Sequence, residues 1–211
     1  MTPLTAFMPF DRRHALASGQ TLPDRTHGTV LFADISGFTP LTAAFADELG
    51  PHRGAEELNR HLNRVFTALI AAVHRYRGCV IAFSGDAITC WFDETEGHGR
   101  TPQLALACAL AMQHEMAQQA AITTPGGRTI QLELKVALAA GPARRFLVGD
   151  PAAQQIEVLA GSTLDQMATA EKLAKQGEVV VTADLLDQLD ASADPVVAQW
   201  RRADSGQRFA V

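Results

Sequence analysis

Apolar residues recur along this chain with two different periods, and each change of period marks an element. The run Thr29-Val-Leu-Phe-Ala-Asp34 follows Gly28 and is almost continuously apolar, which predicts a buried strand ending on an acid. Helix is expected from about Pro40, with Thr39 as its cap and the proline suited to the first turn. Over residues 54–76, Leu58, Leu62, Val65, Leu69 and Val73 return at three- and four-residue spacing. That is one buried stripe of a long helix, with Arg60, Arg64 and Arg75 on its wetter side. Residues 78–92 predict a hairpin in which Ser84-Gly85 forms a two-residue turn. In that register Cys79 faces Cys90, Ile81 faces Ile88 and Ala82 faces Ala87.

A polar loop is expected at 93–100, an alanine-rich helix at 101–121 and a turn at 125–127. Three strands follow at 130–140, 144–148 and 155–159, then a helix at 161–175, a strand at 178–181 and a short helix at 183–189. Residues 196–211 suggest one more hairpin. Helices interleaved with tight hairpins predict an α+β fold: a ferredoxin-like βαββαβ core with a mostly antiparallel sheet and helices packed on one face. Residues 1–28, with Pro3, Pro9 and Pro23, read as an arm packing on a single domain of residues 29–211.

Composition narrows the function classes. A length of 211 residues suffices for a full core, and the net charge of −5 argues against an extended nucleic-acid surface. No apolar run approaches the length of a membrane span, and the N-terminus has no continuous apolar stretch of the secretory kind. Three cysteines, Cys79, Cys90 and Cys108, have no metal-ligand spacing and read as reduced thiols of a cytoplasmic protein.

Two acids carry the chemistry. Asp34 lies in Phe-Ala-Asp-Ile-Ser-Gly-Phe-Thr (residues 32–39) and Asp86 in Phe-Ser-Gly-Asp-Ala (residues 83–87), each beside a glycine at a strand end. Magnesium takes oxygen ligands in octahedral geometry, commonly one or two carboxylates plus phosphate oxygens. Asp34 and Asp86 could bridge two such ions, with the Ile35 carbonyl as a further ligand. Residues Ser36, Gly37, Phe38 and Thr39 turn from strand into helix, where backbone N–H groups suit a triphosphate; Gly85 supports the second acid. No Gly-Lys-Ser/Thr phosphate loop is present. The plain alternative is that Asp-x-Ser-Gly is a turn and cap, and Ser-Gly-Asp a hairpin tip.

With these residues the chain resembles a class III nucleotide cyclase domain, most of all the first cyclase domain of soluble, bicarbonate-responsive adenylyl cyclases and their multidomain bacterial relatives. The likeness runs through residues 28–42, Arg53-Gly-Ala-Glu-Glu-Leu-Asn59, 78–92, 134–150 and 158–174. It implies a head-to-tail dimer of two cyclase domains with active sites at their interface. One half would supply Asp34, Asp86 and the phosphate loop; the other, a base-selecting lysine and an asparagine–arginine pair. The implied reaction is attack of the ribose 3′-hydroxyl on the α-phosphorus of a nucleoside triphosphate, ATP by preference. Pyrophosphate leaves, and two Mg²⁺ ions (Mn²⁺ as the alternative) assist.

The second half of that pattern departs in this chain. The lysine position is Ala82, the asparagine position Asp165 and the arginine position Thr169; a register shifted by one gives Leu164 and Ala168. A carboxylate at Asp165 would repel a triphosphate. The resemblance therefore implies a chain that needs a complementary second cyclase domain. The competing reading is a catalytically incomplete module that dimerises and regulates a partner. The bicarbonate-binding lysine and arginine of the relatives also fall on Ala82 and Ala168, which speaks against anion sensing by those groups. A diguanylate cyclase or polymerase palm shares the two-metal logic, but the context of Asp34 fits it poorly.

Other groups are weaker candidates. The seven histidines are scattered, and Ser36 and Ser84 have no histidine base in view. Arg144-Arg145 reads as a solvated strand end, with a phosphate or partner contact as the alternative. Glu171, Lys172 and Lys175 read as a solvated helix face. Trp91 is dimer surface if its sheet face is open and core if a helix covers it.

Overall fold

A computed structural model of the chain describes residues 8–97, 99–150, 153–189 and 209–210. In chain order the elements are α1 (Phe10–Ala17), β1 (Arg25–Ser36), α2 (Phe38–Leu49), α3 (Pro51–Arg75), β2 (Cys79–Ser84) and β3 (Ala87–Asp93). Then come α4 (Glu94–Gly97), α5 (Thr101–Gln119), β4 (Ala121–Thr123), β5 (Thr129–Gln131), β6 (Glu133–Asp150) and β7 (Gln154–Ala160). The remainder is α6 (Ser162–Leu173), β8 (Val179–Thr182), α7 (Ala183–Gln188) and β9 (Phe209–Ala210). The main sheet runs β2-β3-β1-β6-β8-β9, with β7 added to the far end of β6. Only the β6–β8 pair is parallel among these ladders, as the mostly antiparallel α+β expectation requires.

Alternation along the strands gives the sheet two apolar faces. Leu31, Ala33, Ile35, Ile88, Cys90, Leu134, Val136 and Leu138 meet Leu41 and Phe45 of α2, Val65 and Leu69 of α3, and Ala109 and Met112 of α5. Val30, Trp91, Ala137, Ala139 and Val180 point the other way, onto Met167 and Ala170 of α6. The expected single helical face thus holds α2, α3 and α5, while α6 occupies the opposite one. Trp91 is 1% exposed beneath that layer, so it belongs to the core.

Several boundaries differ from the sequence reading. β1 is longer than the expected 29–34, because its ladder with β6 continues from Arg25↔Arg144 to Ser36↔Glu133. β6 does not break at Gly141-Pro142. Gly141 pairs with Gly28 and Pro142 with His27, so the strand carries on and then gains β7 from Arg144↔Ala160 onward. Residues 94–97 of the expected polar loop form a short helix. The hairpin expected at 196–211 lies outside the described residues, apart from Phe209–Ala210 pairing with β8.

The 78–92 hairpin forms in a shifted register, two residues from the expected pairing at its tip and one residue from it beyond a bulge. Ser84 pairs with Ala87, Phe83 with Ile88 and Ala82 with Thr89; a bulge at Ile81 then leaves Val80 opposite Cys90 and Cys79 opposite Trp91. The turn residues are therefore Gly85 and Asp86, with Gly85 at φ 65°, where a side chain would be strained. The bulge is a device that alternation alone does not disclose.

All three thiols are free and buried. Burial pushes Cys79 and Cys108 up to about 12 and Cys90 well above its ordinary range. Below about pH 9 these thiols are protonated in both folded and unfolded chains. As pH rises above that, the unfolded chain loses protons that the native one keeps, so stability falls, by up to about 1.4 kcal/mol per pH unit for each thiol. Iodoacetamide at pH 8 is expected to leave all three thiols unmodified until denaturant is added. Rapid labelling of the native chain, read by mass spectrometry, would contradict this burial.

α1 sits against the far end of the sheet through a group of charges. Arg145 (2% exposed side chain) donates through Nε to Glu157 (1% exposed) at 2.9 Å and through Nη2 to Asp11 at 3.2 Å. Arg12 completes the group with Nη2 2.9 Å from Glu157. Burial works against the Arg145 charge, but Asp11 and then Glu157 outweigh it and its pKa rises. The expectation of a solvated strand end is corrected for Arg145; Arg144 beside it is exposed.

Candidate active site

β1 and the 85–86 turn bring the two acids to one end of the sheet. Asp34 lies two residues inside β1 and pairs with Ala87 on one side and Lys135 on the other. The Ile35 N–H donates to the Asp86 carbonyl at 3.2 Å, which fastens the turn to β1 next to Asp34. Asp34 is a quarter exposed and Asp86 is exposed at the tip. The one-residue shift of the turn therefore moves Asp86 from a strand start onto the turn while keeping it beside Asp34. Among the described residues no group of three or more His, Cys, Asp or Glu gathers. Two carboxylates and a nearby carbonyl are a hard, incomplete, all-oxygen donor set. That chemistry fits magnesium carrying phosphate oxygens and does not fit a closed zinc site.

The segment after Asp34 is tighter than expected. Ser36 still belongs to β1, where its hydroxyl accepts from Gln176 Nε2 at 2.9 Å and donates to the Glu133 carbonyl at 3.4 Å. Gly37, not Thr39, is the cap of α2; Phe38 starts the helix and is buried, and Thr39 is exposed. Gly37 has φ 100°, and a Cβ there would come within 2.5 Å of the Gln131 carbonyl oxygen. A capping glycine offers no side-chain acceptor to the first turn, so the Phe38 and Thr39 N–H groups keep their capacity to bind an anion.

Sequence reading missed Lys135. Its Nζ is 3.1 Å from Asp34 Oδ2 and in contact with Glu171 Oε1 on α6. The Glu171 hydrogen bond, then Asp34, holds its pKa above the usual lysine range against partial burial. The available signal was a lone lysine inside the apolar run Leu132–Ala140 of the sequence. Glu171 is consequently not the solvated helix position expected of it, while Lys172 and Lys175 are exposed.

The positions expected to be degenerate lie on β2 and α6. Ala82 is exposed on β2 opposite Thr89. Asp165 is exposed on α6, and the Thr169 hydroxyl donates back to the Asp165 carbonyl at 2.8 Å. None of the three supplies a cation.

A sheet of this order, with paired acids at its end beside a helix N-terminus that has no side-chain cap, defines a nucleotide-cyclase type of domain. The family model described as "Adenylate and Guanylate cyclase catalytic domain" matches residues 23–202, and the chain belongs to that family. It is similar to the human adenylate cyclase type 10, with 27% identity over 170 residues that cover 80% of this chain and 10% of that protein. It also resembles an uncharacterised protein of Mycobacterium tuberculosis, 27% identical over 82% of this chain and 29% of the other. The chain spans about 10% of the length of the adenylate cyclase type 10 proteins it matches.

Among solved structures, the adenylyl cyclase CyaB from P. aeruginosa superposes with a TM-score of 0.67 at 21% identity, covering 88% of this chain and 93% of that one. A bacterial light-regulated adenylyl cyclase gives 0.72 at 19% identity, covering 99% and 59%. The guanylyl cyclase Cya2 gives 0.66 at 19%, covering 89% and 90%. At these identities the superpositions establish the fold. No described helix is long and apolar enough to cross a membrane.

Proposed function

We propose that this chain is the metal-binding half of an interfacial adenylate cyclase site, converting ATP to 3′,5′-cyclic AMP and pyrophosphate when paired head to tail with a complementary cyclase domain. The observation that carries this reading is the fastening of Asp86 to β1 beside Asp34, next to the glycine-capped start of α2. Asp34, Asp86 and the Ile35 carbonyl would hold two Mg²⁺ ions, with Mn²⁺ as a substitute. When bound, the ions supply Lewis-acid activation of the ribose 3′-hydroxyl and neutralise charge on the leaving pyrophosphate.

Ser36, Gly37, Phe38 and Thr39 orient the β- and γ-phosphates through backbone N–H groups, and Gly85 lets the Asp86 turn approach them closely. Lys135 adds a cation at the same edge. The similarity to adenylate cyclase type 10 supports ATP over GTP. Phe146, Leu147, Val148 and Ile156 expose apolar surface on the β6–β7 hairpin, which suits contact with a partner domain. In this reading α1 and the segment leading to β1 form an arm on one cyclase domain, working in the cytoplasm, where its three thiols stay reduced.

A second reading, a module that dimerises and regulates without turnover, is favoured by Ala82, Asp165 and Thr169 where cations or amides are needed. Mixing separates the two. Cyclic AMP formation by the chain alone is expected to be at background. Addition of a cyclase domain that carries the lysine, asparagine and arginine but lacks the acid pair is expected to raise it by about 10²-fold or more, the scale of restored transition-state donors. No gain on mixing would leave the regulatory reading standing.

A further inference from the structure

Lys135 is held between two carboxylates on different elements, Asp34 of β1 and Glu171 of α6. All three side chains are partly buried, at 27%, 25% and 24% exposure, so their interaction is less screened than that of a surface pair. Asp34 is the acid that the proposed function gives to a divalent cation. An ammonium 3.1 Å from the same carboxylate competes with that cation for it and repels it. Lys135 cannot withdraw along the chain, because β6 is paired to β1 on both sides of this position. Its flexible stem can redirect the charge only toward an anion within reach, and Glu171 is already in contact.

From this we infer that Glu171 is a positioning residue: it takes over the Lys135 ammonium when Asp34 is given to a divalent cation. The inference rests on the proposed assignment of Asp34 and Asp86 to metal. It adds that α6, which carries Asp165 and Thr169, is tied to the charge state of the acid pair through one ion pair. With Glu171 present, freeing Asp34 exchanges a shared lysine for a fully paired one. Without it, freeing Asp34 strands the ammonium. Glu171 therefore acts on metal affinity through Lys135, and its influence disappears when Lys135 is removed.

The test is a thermodynamic cycle on the full chain, read as Mn²⁺ affinity from water-proton relaxation without nucleotide or turnover. Glu171→Gln is expected to weaken Mn²⁺ binding about three- to tenfold, the range of a partly screened ion pair. Lys135→Met is expected to bind Mn²⁺ more tightly than the unsubstituted chain, and the double variant to match Lys135→Met. An unchanged affinity in Glu171→Gln overturns the inference. So does a loss of the same size in the Lys135→Met background, since Glu171 would then act by its own field on the cation. Glu171→Asp, which keeps the charge on a shorter stem, serves as a second variant with an intermediate affinity expected. Asp34→Asn separates the two levels of argument. If it binds Mn²⁺ as the unsubstituted chain does, the metal assignment falls and the inference with it. If it loses binding while the cycle is additive, the inference alone falls.

Discussion

Asparagine at position 34 or 86 is expected to lower cyclic AMP formation by the paired domains about 10²–10³-fold, the scale of a lost electrostatic contact made in the transition state. The loss should fall mainly on kcat, because a carboxylate that holds the metals acts most strongly as charge develops on the leaving group. Folding is expected to change little. Asp86 is exposed on its turn, and the Asp34–Lys135 pair is a partly solvated one whose loss costs on the order of 1 kcal/mol or less. Retention of activity within tenfold in either variant, at unchanged thermal stability, would remove that aspartate from the site.

The largest effect on stability is expected at Arg145. Arg145→Ala leaves Glu157, at 1% exposure, with Arg12 alone and leaves Asp11 without its guanidinium. Truncating one member of a buried, hydrogen-bonded ion group costs about 3–5 kcal/mol, mostly because the remaining charge stays desolvated. Urea unfolding should show this as a lower midpoint at similar slope. Arg145→Lys should recover only part of it, since one ammonium cannot reproduce separate contacts from Nε, Nη1 and Nη2. A loss under about 1 kcal/mol for the alanine variant would mean that α1 contributes no more than a surface ion pair.

Arg145 also shows where sequence reading stops. Its neighbours along the chain say only that two arginines follow a Gly-Pro step. The partners that bury it, Asp11 and Glu157, are 134 and 12 residues away. What periodicity could reveal, it revealed well: the long α3 stripe and the apolar run of β1. The hairpin register failed because its turn sits one residue later, at Gly85-Asp86, and a bulge at Ile81 then adds a residue to β2; the unbroken β6 was hidden by Gly141-Pro142, an ordinary breaker. α6 was recognised as a helix, but its own sequence does not say which face of the sheet receives it. Lys135 drew no reading and Glu171 only that of a solvated helix face, because neither is informative until β6 and α6 are folded against one another.

The β1–β6 ladder has twelve consecutive pairs, from Arg25↔Arg144 to Ser36↔Glu133, and the position of Lys135 depends on all of them. A slip of one residue would rotate every side chain of β6 to the opposite face. Lys135 would then enter the layer that holds Leu134, Val136 and Leu138, while those side chains would be driven toward α6. Such an exchange would bury an unpaired ammonium among leucines, far above the cost of losing any one contact at the acids. The counter-charge beside Asp34 is thus indexed like the mark on a vernier, by the whole apolar core rather than by its own ion pair.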